Sequence, residues 1–308
     1  MSSEKIVVIA HALKSEASAV LRNLRKWAAG KGYDVVTNLA EGIEPGSSAS
    51  RTQDMLLPDE ELTQRFQGAR CAITLGGDGT LLYAAHLVAP LGIPVLAVHL
   101  GSLGFHTQVE TARLHACLDS FLRGECRIEH RMLLQVIVET NGGAGTAEHR
   151  RSELLALNDV VVSKSAWGRM VHLRIHVDDR PASDLYADGL LIATPTGSSA
   201  YNYAARGPVL EPRMEAIVVN AICPHRINFS PVVLEKDHVI KVEFHPRKPS
   251  EEAQLLVDGR PWGTVSHLDI LKICRAPVYL RLVVFEDRFF EKLREKLAWG
   301  GLFWKAAS

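Results

Sequence analysis

"ITLGGDGTLLYAA", Ile73 to Ala85, decides how the first half of the chain is read. An apolar, strand-like run ends in Gly76 and Gly77, passes through Asp78, Gly79 and Thr80, and turns apolar again at helical spacing. A strand that closes on glycines and feeds a helix is the junction at which open α/β sheets bind ligands. The spacing predicts glycines in backbone angles closed to other residues, a main chain that a phosphate can approach, and a helix beginning near Thr80 with free N–H groups. Glycine explains the turn but not the acid. Asp78 reads either as a cap on that helix or as a carboxylate beside a phosphate cradle, taking a proton from a hydroxyl or helping to hold magnesium. The stretch has no GxxxxGK[ST] and lacks the third glycine of GxGxxG, so it is neither a Walker loop nor a simple dinucleotide fingerprint. With an ordinary pKa of about 3.9, a carboxylate is a weak base for an alcohol. Proton transfer to it would come late, as phosphorus bonds to the oxygen, with orientation supplying much of the rate.

Around this stretch, strand and helix patterns alternate. "KIVVIA" (5–10), "YDVVT" (33–37), "CAITL" (71–75) and "PVLAV" (94–98) read as strands. "SEASAVLRNLRKWAAG" (15–30) reads as a helix with a serine start and a glycine stop, and a second helix is expected around Asp59 to Gln67. "EGIEPGSSAS" (41–50) reads as a loop. This rhythm predicts an α/β domain with a doubly wound, Rossmann-like parallel sheet. After Arg131 the pattern changes to short β-branched runs separated by turn residues such as "NGGAG" (141–145), Asp178-Asp179 and Asp258-Gly259. That half is expected to be mainly antiparallel β, with one short helix after Thr196. The last element, "DRFFEKLREKLAW" (287–299), has helical spacing. The expected organisation is an α/β domain over 1–127, a β-rich domain over 128–284, and a C-terminal helix within 285–308 that packs back on the first domain.

The 308 residues are 47% hydrophobic and 23% charged, and Lys plus Arg equals Asp plus Glu at 35 each. No global field recruits nucleic acid or an anionic membrane, so an anionic ligand has to be held locally. "MSSEKIVVIA" reads as a first strand and not as a signal peptide, and no apolar run reaches the about 18 residues of a membrane span. The five cysteines are scattered, odd in number and without CxxC spacing, which argues against a thiolate metal cluster or a disulfide framework and for a reducing cytoplasm.

Three further runs bear on ligand binding. "HLGSLGFHT" (99–107) follows a strand and opens on the same crevice as Asp78, with Phe105 either at the ligand or in the core. In "LNDVVVS", Asn158 and Asp159 either hydrogen-bond a ribose and a base edge or form a strand-entry turn. "DGLLIATPTGSSAYNYAARGP" (188–208) places a hydroxyl- and glycine-rich loop, Pro195 to Ser199, between a strand and an alanine-rich helix. Its hydroxyls and amides suit an adenosine, with Tyr201 as a stacking face, and its serines also suit plain helix capping.

"GGDGT" at 76–80, "ND" at 158–159, "DGLLIATPTGSSAY" at 188–201 and "CPH" at 223–225 stand in the order and spacing of the NAD kinases, which the chain resembles from its first strand to "LLVDGR" at 255–260. GGDGT alone is shared with diacylglycerol and sphingosine kinases, whereas TPTGSSAY is far more specific. The resemblance implies an α/β domain followed by a β-rich one, a final segment returning to the first, and a homo-oligomer, dimer or tetramer. It implies phosphorylation of the adenosine-ribose 2′-hydroxyl of NAD by ATP or polyphosphate with a divalent ion such as magnesium, whose ligands it leaves unassigned. By the same resemblance Asp78 is the proton acceptor with Gly79 beside it. Asn158 and Asp159 contact the adenosine, Thr196 and Ser199, Ala200, Tyr201, Asn202, Tyr203 and Ala204 surround the adenine, and Asp188 lies on the nicotinamide side. Arg169 and Arg260 sit at ligand-touching positions. Departures are Asp159 for the usual Glu, Ser199 for Thr, Arg206 for a second glycine and Ser230 for an arginine. The competing readings are a dinucleotide sensor without turnover and a lipid kinase sharing the GGDGT turn.

Overall fold

Buried β-branched runs and one-sided helices dictate the first half of the chain. The computed structural model describes residues 4–40, 43, 45–46, 58–101, 103–140, 150–165, 169–226 and 229–300. Most of the loop expected at 41–50, and the turn expected at 141–145, lie outside the described residues. The chain divides into two units, one of Met1–His130 with Leu280–Ser308 and the other of Arg131–Tyr279.

The first unit begins with β1 (Glu4–Ala10), α1 (Ser15–Gly30), β2 (Tyr33–Thr37), α2 (Asp59–Phe66), β3 (Cys71–Gly76), α3 (Asp78–Val88), β4 (Val95–His99), β5 (Val109–Glu110) and α4 (Leu114–Leu122). β1 pairs in parallel with β2 on one side and β3 on the other, and β3 pairs in parallel with β4. The chain therefore turns one way after β1 and the other way after β2, making the carboxyl ends of β1 and β3 a topological switch point. Ala17, Leu21, Leu24 and Ala28 recur at helical spacing on α1 and are buried, the first three in one cluster with Ile6, Val8, Ile73 and Val98 of the sheet. Ser15 is the first residue of α1 and not its cap, which is Lys14; the Lys14 ammonium instead donates to the Leu100 carbonyl at 2.9 Å.

α3 starts at Asp78, two residues before the expected start, with Gly77 as its N-cap at φ −130°. Gly76, Gly77 and Gly79 are not among the positive-φ glycines. The expectation of forbidden angles is thus corrected: β3 runs extended through Gly76, and an extended cap leads straight into the helix.

The second unit continues β6 (Arg127–Thr140) and adds β7 (Arg150–Ala156), β8 (Asp159–Lys164), β9 (Val171–Val177), β10 (Arg180–Ala187), β11 (Gly189–Ala193), α5 (Tyr201–Ala204), β12 (Ala216–Ile222), β13 (Val232–Glu235), β14 (Ile240–Phe244), β15 (Ala253–Val257), β16 (Arg260–Val265) and most of β17 (Asp269–Val284). Six strands form one antiparallel sheet in the order β13-β12-β11-β8-β15-β16. Strands β10, β9, β14 and β17 pair antiparallel in that order, and β6 pairs with β17 and β7. The Asp178-Asp179 turn carries φ of 49° and 62°, the left-handed pair that closes a tight hairpin between β9 and β10. Alternate residues of the six-stranded sheet, among them Val160, Val162, Leu190, Ile192 and Ile217, pack with Leu173, Ile175, Val242 and Ile273. The residues between them, Val161, Leu191, Ala193 and Val218, form a separate cluster with Leu210 and Leu256. Its central strands read as unbroken apolar runs because both faces are covered.

Beyond Tyr279 the chain rejoins the first unit. Leu282 of β17 pairs in parallel with Val95 of β4, and α6 (Phe289–Leu297) buries Lys292 and Leu293. The expected return of the C-terminal segment is found, as is the α/β unit followed by a β-rich one.

Candidate functional site

Asp78 lies at the switch point of the first unit, in the first turn of α3, and its carboxylate does not cap that helix. Instead Oδ2 accepts the Phe105 N–H at 2.7 Å, and Oδ1 accepts those of His106 at 3.0 Å and Thr107 at 3.1 Å. Burial alone would raise its pKa, but the nearby His106 and the three backbone donors outweigh burial and hold it below the ordinary carboxylate range. A Cβ on Gly104 would meet this carboxylate inside 3.0 Å, so the second glycine of "GSLG" lets the loop close on the acid. Gly77 and Gly79 have nothing within 4 Å of a built Cβ. The fold does not require glycine at either position, and the open space beside Asp78 suits close approach of a phosphate. The Phe105 ring meets His106 and Phe289 edge to face at centroid distances of 5.4 and 6.4 Å, so its backbone serves the acid while its ring packs toward α6. Asp78, Gly79 and Phe105 are thus brought together within this unit.

In the second unit, Asn158 and Asp159 stand at the start of β8. Asp258, at φ 50° in the β15–β16 turn, accepts the N–H groups of Leu157, Asn158 and Asp159 at 2.9, 2.7 and 3.1 Å, while its own N–H returns to the Asp159 carbonyl at 2.9 Å. Burial first, and the Asp258 charge second, push the Asp159 carboxyl up to about 7. The 194–199 loop closes on the same segment. Thr194 N–H donates to the Asn158 carbonyl at 2.9 Å, the Thr194 hydroxyl donates to the Leu157 carbonyl at 2.5 Å, and a Cβ on Gly197 would collide with the Asn158 backbone.

Among the described residues, two buried polar atoms here have no hydrogen-bond partner: Asn158 Oδ1 and Thr196 Oγ1. Native interiors leave few such groups, so both stand out in this segment. Ser199 donates to the Thr196 carbonyl at 3.3 Å. Ala200 and Ala204 bracket α5, on which Tyr201 and Tyr203 are 46% and 42% exposed. Asn202 is fully buried behind them. Its amide donates to the Ser198 and Pro208 carbonyls at 3.2 and 2.9 Å and accepts from Asn220 at 3.1 Å, so it supports the loop from within.

The remaining candidates lie elsewhere in this unit. Asp188 pairs with Lys164 at 2.7 Å between β10 and β11. Arg260 is exposed at the start of β16. Arg169 lines a cavity of about 540 Å³ with Lys164, His172, Tyr186, His245 and Arg247, where none of Asn158, Asp159 or Thr196 is found. Sequence reading passed over Asp258, Thr194 and Lys292. Asp258 had one local signal, the Asp-Gly pair, and Thr194 lay within the quoted run without being singled out.

The ATP-NAD kinase N-terminal domain model matches residues 6–126, and the ATP-NAD kinase C-terminal domain model matches residues 157–285. An NAD kinase of Acidobacterium capsulatum is 38% identical over 300 residues, covering 96% of this chain and 99% of that protein. The crystal structure of yeast NADH kinase complexed with NADH superposes with a TM-score of 0.84 at 18% identity, covering 100% of this chain and 90% of that one. An NAD kinase from Archaeoglobus fulgidus in complex with ATP superposes with a TM-score of 0.67 at 20% identity, covering 94% and 96% of the two chains. At those identities the two structures speak for the fold, and the sequence matches speak for descent. With both domain models matched in order and a relative aligned along nearly its whole length, the chain belongs to the NAD kinase family of phosphotransferases.

Proposed function

We propose that this chain transfers the terminal phosphoryl group of ATP to the adenosine-ribose 2′-hydroxyl of NAD, releasing ADP and NADP, with Asp78 as the proton acceptor. The observation that carries this reading is a carboxylate fixed by three backbone N–H groups beside two glycines that the fold itself does not require. Among the described residues three of the about four lone-pair positions of the carboxylate are engaged, and the remaining position on Oδ2 takes the incoming hydroxyl. Its low pKa makes it a late acceptor. The proton leaves the hydroxyl as the oxygen bonds to phosphorus and the bond to ADP breaks, and orientation supplies more of the rate than basicity.

Asn158 and Asp159 hold the adenosine, Thr196 and Ser199 to Ala204 line the adenine with Tyr201 against the base, and Asn202 keeps that loop in shape. Asp188 serves the nicotinamide half, and Arg169 and Arg260 touch the bound ligand. Among the described residues no three His, Cys, Asp or Glu side chains gather as a metal cage. The reading includes a divalent ion such as magnesium, which would enter with the ATP phosphates. When bound, the ion offsets charge on the transferring phosphoryl group. The proposal includes a homo-oligomer in a reducing cytoplasm, supported by the exposed Val232 and Val233 on edge strand β13 and by five free cysteines. No helix among the described residues is long and apolar enough to cross a membrane.

The test is a coupled assay with purified protein, NAD, ATP and magnesium, with NADH and polyphosphate substituted in parallel. NADP formed with ATP establishes the reaction, and the parallel wells fix acceptor and donor. Dinucleotide binding without product from any combination overturns it in favour of a sensor.

A further inference from the structure

Lys292 is 3% exposed on α6, and its ammonium donates to two carbonyls, those of Phe105 at 2.6 Å and Thr107 at 3.2 Å. A buried ammonium is costly unless it is well paired, and a loop carbonyl is normally met by water. The pairing is informative because of what lies on the other side of the loop. The peptide that joins Phe105 to His106 offers its carbonyl to Lys292 and its N–H to Asp78, at 3.0 Å from Oδ1. One peptide group therefore stands between a cation at its oxygen end and an anion at its nitrogen end. Each charge aligns and polarises the dipole that the other uses. Two neighbouring N–H groups of the same loop bind the same carboxylate, and Phe289, three residues before Lys292, packs edge to face on Phe105.

We propose that Lys292 is a positioning residue for the phosphoryl-transfer reaction, setting the orientation of Asp78 through the Phe105–His106 peptide; this rests on the reading of Asp78 as the proton acceptor. Lys292 acts on the acid only through the loop carbonyls that it holds. At the start of α6, Arg288, its N-cap, pairs with Glu291 at 2.7 Å. His106 is the nearby charge-bearing residue that, with the three backbone donors, holds Asp78 below the ordinary carboxylate range.

The experiment is a kinetic double-mutant cycle on the full chain with Lys292→Met, Asp78→Asn and the double variant. The expected result for Lys292→Met is a fall in kcat on the order of tenfold with KM for NAD unchanged. In the Asp78→Asn background the same change should have little further effect, because the carboxylate it orients is gone. An unchanged kcat in Lys292→Met, or a full additional loss in the double variant, overturns the proposal, since a merely structural lysine would act in both backgrounds alike. If Lys292→Met does not fold, Lys292→Gln, which keeps a donor without the charge, carries the same cycle. Should the wild-type chain form no NADP, the reading of Asp78 fails by itself. Amide exchange at His106 then decides the loop claim: faster exchange in Lys292→Met supports it and equal rates overturn it.

Discussion

A Cβ on Gly76 would stand inside 3.0 Å of the Thr80 side chain, whereas one on Gly77, the next residue, would meet nothing within 4 Å. Adjacent glycines thus answer to different demands, the first to packing and the second to whatever approaches the loop. Gly76→Ala should lower stability by about 1–3 kcal/mol as Thr80 is pushed aside. Gly77→Ala should stay within about 1 kcal/mol of wild type, the scale of a cap substitution, yet lose turnover by tenfold or more, about 1.4 kcal/mol of barrier. Chemical denaturation and NADP formation, measured on both variants, separate the two demands.

Asp78→Asn keeps the outline of the side chain but not its hydrogen bonding. Both carboxylate oxygens accept N–H groups, so one backbone donor in the variant has to face the new NH2. Turnover should fall by at least about 100-fold, the usual contribution of a positioned base, and the loop at 105–107 should loosen as well. In the wild type, the depressed pKa places any acid-side loss of turnover from Asp78 below the ordinary carboxylate range. A pH profile of kcat that falls with the ionisation of an ordinary or raised carboxylate would assign the base to another group.

Asp159 makes a different use of pH. Its carboxyl is raised to about 7 in the fold, against about 3.9 when unfolded. Below about 4 both states hold the proton and its stabilising contribution is fully present. As pH rises toward 7 the unfolded chain releases its proton first, and stability declines until the folded carboxyl ionises too. Asp159→Asn should remove this slope, so that the variant is the more stable protein at about pH 8 and the gap narrows toward about pH 5. At about 1.4 kcal/mol per pKa unit the gap amounts to a few kcal/mol. Urea midpoints across that range provide the measurement.

Arg206 occupies a left-handed position, at φ 60°. A side chain there is strained relative to glycine, which gives a physical reason for the glycine expected at this point. Arg206→Gly should leave stability unchanged or raise it by up to about 1 kcal/mol, and melting curves would register the upper figure as a gain of about 2 °C. A clear drop in Tm would mean that the guanidinium makes a contact outweighing the strain. Nothing in the structure explains Ser230.

The parts of the molecule that were legible in the sequence are those with local causes. The helical spacing of Ala17, Leu21 and Leu24, the unbroken apolar strands and the Asp-Asp hairpin each announce themselves within a few residues. The strand-to-helix turn at Asp78 was legible as a binding junction, but its backbone angles were not, because glycine there answers to space and not to φ. Least legible were the residues that organise the candidate sites over distance. Asp258 holds Leu157 to Asp159 across about 100 positions, and Lys292 holds a loop 185 and 187 positions earlier. No periodicity or turn rule spans such separations. Asn202 shows the converse: a residue within a recognised run faces inward, which its neighbours' chemistry did not reveal.

The interruption of the first unit between His130 and Leu280 bears on the order in which a ribosome delivers the protein. The β-rich unit is one continuous segment and can complete its core while still tethered. The unit carrying Asp78 has to wait, because β17's last residues and α6 emerge only afterwards. Until then β4 lacks Leu282, the partner of Val95 on its other side, and the loop that grips the acid lacks Lys292. A nascent chain whose second unit has emerged but whose α6 has not should therefore hold a finished second unit and an unfinished first one, open to chaperones and proteases, so that the residues made late determine when the residues made early are set for chemistry.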